Sequence, residues 1–199
     1  HTLSLHDALP ISGAFKVRGG ITYLDELAAG GLPAGLVTAT RGNHGQSIPF
    51  AASRYGVPVT VVVPEGNSTD KNRAMRGWGA EVLTHGCDFD EARAFAAALA
   101  RDRGLALVPS FHPALVRGVA TYALELFTAV TRLDTVYVPI GMGSGICAVI
   151  AVRDLLGLDT EVVGVTAAGA PAYAESFRAG EPRPQAEART FADGVACRD

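Results

Sequence analysis

A lysine and two glycine-rich turns hold most of the chemistry open to this chain. Lys16 stands in Ser12-Gly13-Ala14-Phe15-Lys16-Val17-Arg18-Gly19-Gly20, at the front of a periodic apolar run. A cation in the first turn of a helix opposes the helix dipole, and burial beside Phe15 acts in the same direction. Both effects lower a lysine pKa from its reference of about 10.4. A neutral amine is what attack on a carbonyl carbon requires, so Lys16 is a candidate for Schiff-base chemistry. Taken alone, the segment reads more simply as a surface lysine near a helix start.

The two turns share one form: buried strand, glycine-rich turn, helix. Gly35–Thr40 runs into Arg41-Gly42-Asn43-His44-Gly45, and Thr135–Ile140 runs into Gly141-Met142-Gly143-Ser144-Gly145. Such a turn lets backbone N–H groups approach an anion, and the helix start adds about half a positive charge. The 141–145 turn suits a phosphate, with the Ser144 hydroxyl as a further donor. The 41–45 turn suits a second anion or a polar ring edge. A dinucleotide fingerprint fails because Ile146 stands where its third glycine belongs, and a P-loop fails because Ile146-Cys147 replaces its Lys-Ser/Thr pair. The phosphate indicated is therefore that of a small cofactor. Each turn by itself reads equally well as tight packing.

The elements that must position these residues emerge from periodicity. Helices are predicted at 14–29, 44–55, 68–78, 88–103, 114–130, 146–156 and 172–178, and strands at 35–40, 57–63, 80–84, 105–108, 135–140 and 161–166. Pro49 is placed in the first turns of its helix, where a missing N–H costs little. Lys71, Arg73 and Arg76 are placed on the surface of theirs. Alternating strands and helices predict an α/β fold with parallel sheets. His1–Ile11 (HTLSLHDALPI) has no helical or strand period and lacks the basic start and apolar core of a secretory signal. It resembles an in-frame translation of a sequencing-adapter oligonucleotide, so residues 1–11 are treated as an artefact, and His1 and His6 are not read as ligands.

Composition narrows the function classes. Lys+Arg (17) falls below Asp+Glu (20) and there is no basic run, which argues against nucleic acid. No apolar stretch approaches the roughly 20 residues of a membrane span. Cys87, Cys147 and Cys197 are odd in number and widely spaced, giving neither a disulfide framework nor a zinc pattern. They read as free thiols in a reducing cytoplasm.

Taken together, SGAFKVRGG at 12–20, TRGNHGQ at 40–46 and VPIGMGSG at 138–145 resemble the serine/threonine dehydratase branch of the fold-type II pyridoxal-phosphate enzymes. That group includes serine racemase, threonine synthase and the tryptophan synthase β-subunit. The resemblance runs from Ser12 to the C-terminus and takes in Pro64–Val82 and TFADGVA at 190–196. It implies two interleaved, open parallel-sheet domains of three-layer αβα form, truncated at both ends: a large cofactor-binding domain of 12–35 and 113–199, and a small domain of 36–112. It implies pyridoxal 5′-phosphate as cofactor, a small amino acid as substrate, and a homodimer in the full-length enzyme.

Residue by residue, the resemblance implies that Lys16 carries the cofactor as a Schiff base and then removes the substrate α-proton, with Phe15 packed near the cofactor. Asn43 matches the asparagine that meets the pyridoxal 3′-oxygen. Thr40, Arg41, Gly42, His44 and Gln46 match the loop that receives the substrate carboxylate. Gly141, Met142, Gly143, Ser144 and Gly145 match the phosphate cup, whose usual form is four consecutive glycines. Met142 and Ser144 depart from it, and Met142 is strained unless its backbone is one a non-glycine residue adopts. The implied reaction is β-elimination of L-threonine or L-serine to a 2-oxoacid and ammonia.

Two further departures bear on that reaction. Racemases of this group place a serine directly before Gly-Asn-His as a second base. Arg41 stands there, and a guanidinium cannot act as a base at neutral pH. Relatives with a divalent-metal site carry an acid after the strand at 161–165. Thr166-Ala167-Ala168 offers none, so no metal is expected. The family continues past TFADG into a segment that holds the pyridine-nitrogen partner, and Cys197 is too early to fill that role. The alternatives are another reaction of the group (serine racemase, threo-3-hydroxyaspartate dehydratase, threonine synthase) or an inactive truncated fragment that only binds an anion.

Overall fold

The computed structural model describes residues 13–198, so the reading of residues 1–11 lies outside the described part. Among the described residues, helices and strands alternate: α1 (Lys16–Gly30), β1 (Leu36–Ala39), α2 (Asn43–Ser53), β2 (Val59–Val63), α3 (Thr69–Gly77), β3 (Glu81–Thr84), α4 (Phe89–Arg103), β4 (Ala106–Leu107), α5 (Pro113–Ala129), β5 (Thr135–Pro139), α6 (Ser144–Leu155), β6 (Glu161–Val165) and α7 (Ala172–Ala179), then a 3-10 turn (Asp193–Val195). The expected α/β class with parallel sheets is what the chain forms. It divides into two compact units, His1–Gly118 and Val119–Asp199, with the boundary inside α5.

The first unit is built on a parallel four-stranded sheet in the order β3-β2-β1-β4. Its two central strands, LVTA and VTVVV, are buried at every position. Such continuous apolar, β-branched runs suit strands covered on both faces. Leu36 pairs with Val59 and Ala39 with Val62, while β4 meets β1 only at Leu36 and Val37. The core gathers Leu24 of α1, Ile48 of α2, Met75 of α3, Val61 and Val63 of β2, and Leu115 of α5. Local signals set the helix starts. The Ser68 side chain accepts from the Lys71 N–H at the head of α3, and the Asp88 side chain accepts from the Glu91 N–H at the head of α4.

Helices α1 and α2 carry two packing details that bear on the site. A Cβ on Gly20 would lie 2.2 Å from Ser47 Oγ, so only glycine lets α1 and α2 approach this closely. Pro49 lies in the second turn of α2, as its seventh residue, just past the positions whose N–H groups lack an intrahelical acceptor. The helix therefore forgoes one backbone hydrogen bond there.

The second unit contains the parallel pair β5-β6, in register from Thr135 with Glu161 to Pro139 with Val165. Phe127, Val138, Val149 and Val152 form its core. Tyr137, Leu155, Phe177 and Phe191 stand in solvent. Helix α6 starts at Ser144, two residues ahead of the start that periodicity predicts, because the turn passes directly into helix. Among the described residues, no helix is long and apolar enough to cross a membrane.

Candidate functional site

In the first unit, Lys16 is the first residue of α1 and is half-buried. Its Nζ lies over the Phe15 ring, 5.4 Å from the centroid, a cation–π distance. No acidic residue stands in the first turn of α1. The Lys16 carbonyl accepts a hydrogen bond from Ser47 Oγ at 2.6 Å, which ties the lysine's backbone to the second turn of α2.

The 40–46 segment carries β1 into α2. Thr40 is buried, and its Oγ1 accepts from the N–H groups of Gly42 (2.9 Å) and Gly45 (3.2 Å). A helix start leaves its first N–H groups without intrahelical acceptors. With those of Gly42 and Gly45 taken by Thr40, the N–H groups of Asn43 and His44 remain as donors at the helix end. The Thr40 hydroxyl, having accepted twice, still has its proton to give. Asn43 is exposed, and Gln46 is buried.

His44 is buried. Its Nε2 lies 3.1 Å from Thr38 Oγ1, and that hydroxyl donates to the Val108 carbonyl at 2.9 Å. Burial, and secondarily the Lys16 charge, push the His44 pKa down to about 3. Arg41 is half-buried, and its Nε is shielded from solvent with no acceptor among the described residues.

Lys71 does not lie free on the helix surface as its sequence position suggests. It is half-buried, and its stem lies on the loop: a Cβ on Gly42 would come within 2.9 Å of Lys71 Cδ. The signal was present in the sequence, since Lys71 is a cation in the first turn of its own helix, the same anomaly that singles out Lys16. Lys16 and Lys71 are the only lysines in the chain.

In the second unit, Gly143 (φ +88) caps α6 and offers no side-chain acceptor to the first N–H groups of that helix. Ser144 and Gly145 are buried in its first turn, and Gly141 and Met142 are half-buried. No non-glycine residue among those described has positive φ, so Met142 occupies its place without left-handed strain. A Cβ on Gly141 would lie 2.2 Å from the Gly194 carbonyl oxygen. The Thr190–Ala196 segment thus braces the turn, a contact no local pattern announces. Cys197 Sγ adds a 3.7 Å contact to Met142 Sδ. A helix start without a side-chain cap, behind a glycine turn, fits a phosphate. Among the described residues, no group of three or more His, Cys, Asp or Glu is arranged to hold a metal.

A glycine turn leading into a helix and a lysine at a helix start stand on parallel sheets, and comparison with known proteins gives the class. The profile described as "Pyridoxal-phosphate dependent enzyme" matches residues 5–199, and the chain belongs to that family. Within it, the chain is similar to the biosynthetic L-threonine dehydratase of Salmonella typhimurium, with 38% identity over 92% of this chain and 36% of the relative. The solved structure of the processed form of threonine deaminase isoform 2 from Solanum lycopersicum has a TM-score of 0.85 at 30% identity, covering 94% of this chain and 55% of that one. A pyridoxal 5′-phosphate-dependent aspartate racemase gives 0.82 at 31% identity, covering 93% and 57%. The fold is thus the tryptophan synthase β-like one. The chain spans about a third of the length of the curated dehydratase it matches.

Proposed function

We propose that this chain is the lysine- and phosphate-binding part of an L-threonine or L-serine ammonia-lyase, which eliminates the β-hydroxyl and releases a 2-oxoacid and ammonia. The observation that carries the reading is the pairing of α1 and α2. The lysine heads one helix, the N–H groups of Asn43 and His44 head the other, and the 2.6 Å bond from Ser47 to the Lys16 carbonyl joins the two.

Pyridoxal phosphate, when bound, supplies an electron sink next to the substrate amino group. The rest falls to this chain's residues. Lys16 Nζ would hold the cofactor covalently, and its amine would serve as the base for the substrate α-proton. Phe15 would pack beside the cofactor, and the exposed Asn43 side chain would offer it a hydrogen bond. The backbone N–H groups of Asn43 and His44 and the Thr40 hydroxyl hold the substrate carboxylate, with Arg41, Gly42 and Gln46 completing the loop. Gly141, Met142, Gly143, Ser144 and Gly145 hold the phosphate through backbone N–H groups and the Ser144 hydroxyl. Arg41 gives no second base at neutral pH, which favours elimination over racemisation despite the likeness to a racemase.

The domain division proposed for the complete enzyme is 12–35 with 113–199 against 36–112, and its assembly a homodimer in the cytoplasm. The resemblance to the family supports both.

The reading is tested by adding pyridoxal phosphate, reducing with borohydride and mapping the adduct by mass spectrometry, alongside 2-oxoacid release from L-threonine and L-serine. The adduct is expected on Lys16. An adduct on Lys71 alone, or none, overturns it.

A further inference from the structure

Thr38 and Thr40 lie two residues apart, so both point to the same side of the extended chain. Both hydroxyls reach the first turn of α2, one through the His44 side chain and the other through the backbone of Gly42 and Gly45. We infer that Thr38 and His44 form a positioning latch, in which the His44 ring donates from Nε2 to Thr38 Oγ1 and so fixes the head of α2, with its Asn43 and His44 N–H groups, against the sheet. The inference rests on the reading of the 40–46 loop as the carboxylate receiver.

Proton counting sets the direction of the bond. A threonine hydroxyl has one proton, and the Val108 carbonyl at 2.9 Å can only accept. Thr38 therefore spends its proton on Val108. Towards His44 Nε2, at 3.1 Å, its oxygen can act only as acceptor, so the ring must carry the hydrogen there. Thr38 is fully buried in β1, Val108 comes directly after β4, and His44 stands in the first turn of α2. The relay thus joins two adjacent strands to the helix start. Burial first, and the Lys16 charge second, depress the His44 pKa and keep the ring neutral with a single N–H, which the Thr38 contact places on Nε2. A ring held in this way positions the loop and moves no proton. Its residue still presents a backbone N–H.

The test uses the intact chain. With ¹⁵N-labelled histidine, two-bond ¹H–¹⁵N correlation at neutral pH is expected to show His44 as the Nε2–H tautomer. Thr38→Ser is expected to keep that pattern, and Thr38→Val to lose it to a mixture of tautomers. In the chain loaded with pyridoxal phosphate, the L-serine concentration that half-saturates the change in cofactor absorbance is expected to rise up to about tenfold in Thr38→Val and to recover in Thr38→Ser, as for loss of one hydrogen bond. An Nδ1–H tautomer or a charged ring in the unmodified chain overturns the latch, even if Thr38→Val fails to fold. Unchanged half-saturation in a folded Thr38→Val also overturns it. A chain that takes up no cofactor refutes the functional reading above, while the tautomer still decides the hydrogen bond.

Discussion

Ser47 Oγ donates a 2.6 Å hydrogen bond to the carbonyl oxygen of Lys16, across the closest approach of α1 and α2. The bond is possible because Gly20 faces Ser47 with no side chain. It makes the position of the lysine depend on the same helix that opens with the asparagine loop.

Gly20→Ala is therefore expected to be costly, since its Cβ would meet Ser47 Oγ at 2.2 Å and the Ser47 carbonyl oxygen at 2.8 Å. Overpacking of this kind costs about 1–3 kcal/mol. Gly30→Ala, where a Cβ meets nothing within 4 Å, is expected to be neutral or slightly stabilising. Urea denaturation of the two variants should separate them, and equal midpoints would contradict the close approach.

The two lysines should behave differently. Lys16→Ala is expected to abolish the borohydride-trapped cofactor adduct. Lys71→Ala is expected to keep the adduct on Lys16 but to weaken amino-acid binding, because it removes the stem that covers Gly42. Mass spectrometry reads the first effect, and titration of the cofactor absorbance with L-serine reads the second.

His44 gives the fold a pH dependence of definite sign. Its folded pKa, about 3, lies below the ordinary 6.5. Between these values the unfolded chain binds a proton that the folded chain refuses, so stability is complete above 6.5 and falls as pH falls through the window. The slope from this residue approaches about 1.4 kcal/mol per pH unit. Denaturation midpoints at successive pH values should show it, and His44→Gln should flatten it. A slope unchanged in His44→Gln would assign the effect to other groups.

The brace on the 141–145 turn is asymmetric. Gly141→Ala drives a Cβ to 2.2 Å from the Gly194 carbonyl oxygen and is expected to reduce pyridoxal phosphate uptake severely. Gly194→Ala, whose Cβ meets nothing within 4 Å, is expected to leave uptake near that of the unmodified chain. Equilibrium dialysis with the cofactor measures both. Equal losses would show that the contact does not govern the turn.

The order of elements, the α/β class and the place of both glycine turns were legible in the residues themselves, because periodicity and backbone freedom are local properties. VTVVV can bury both faces wherever it is placed, and Gly143 can take positive φ in front of any helix. Lys16 could be found as a cation in a first turn, and Lys71 could have been found by the same reasoning. The tertiary structure alone decided the strand order β3-β2-β1-β4, the hydrogen bond from Thr38 to the Val108 carbonyl, and the seating of Gly194 on Gly141. Each depends on the approach of segments that pack from different elements. Which hydroxyl finds which acceptor is then set by sub-ångström distances that residue type and spacing do not encode.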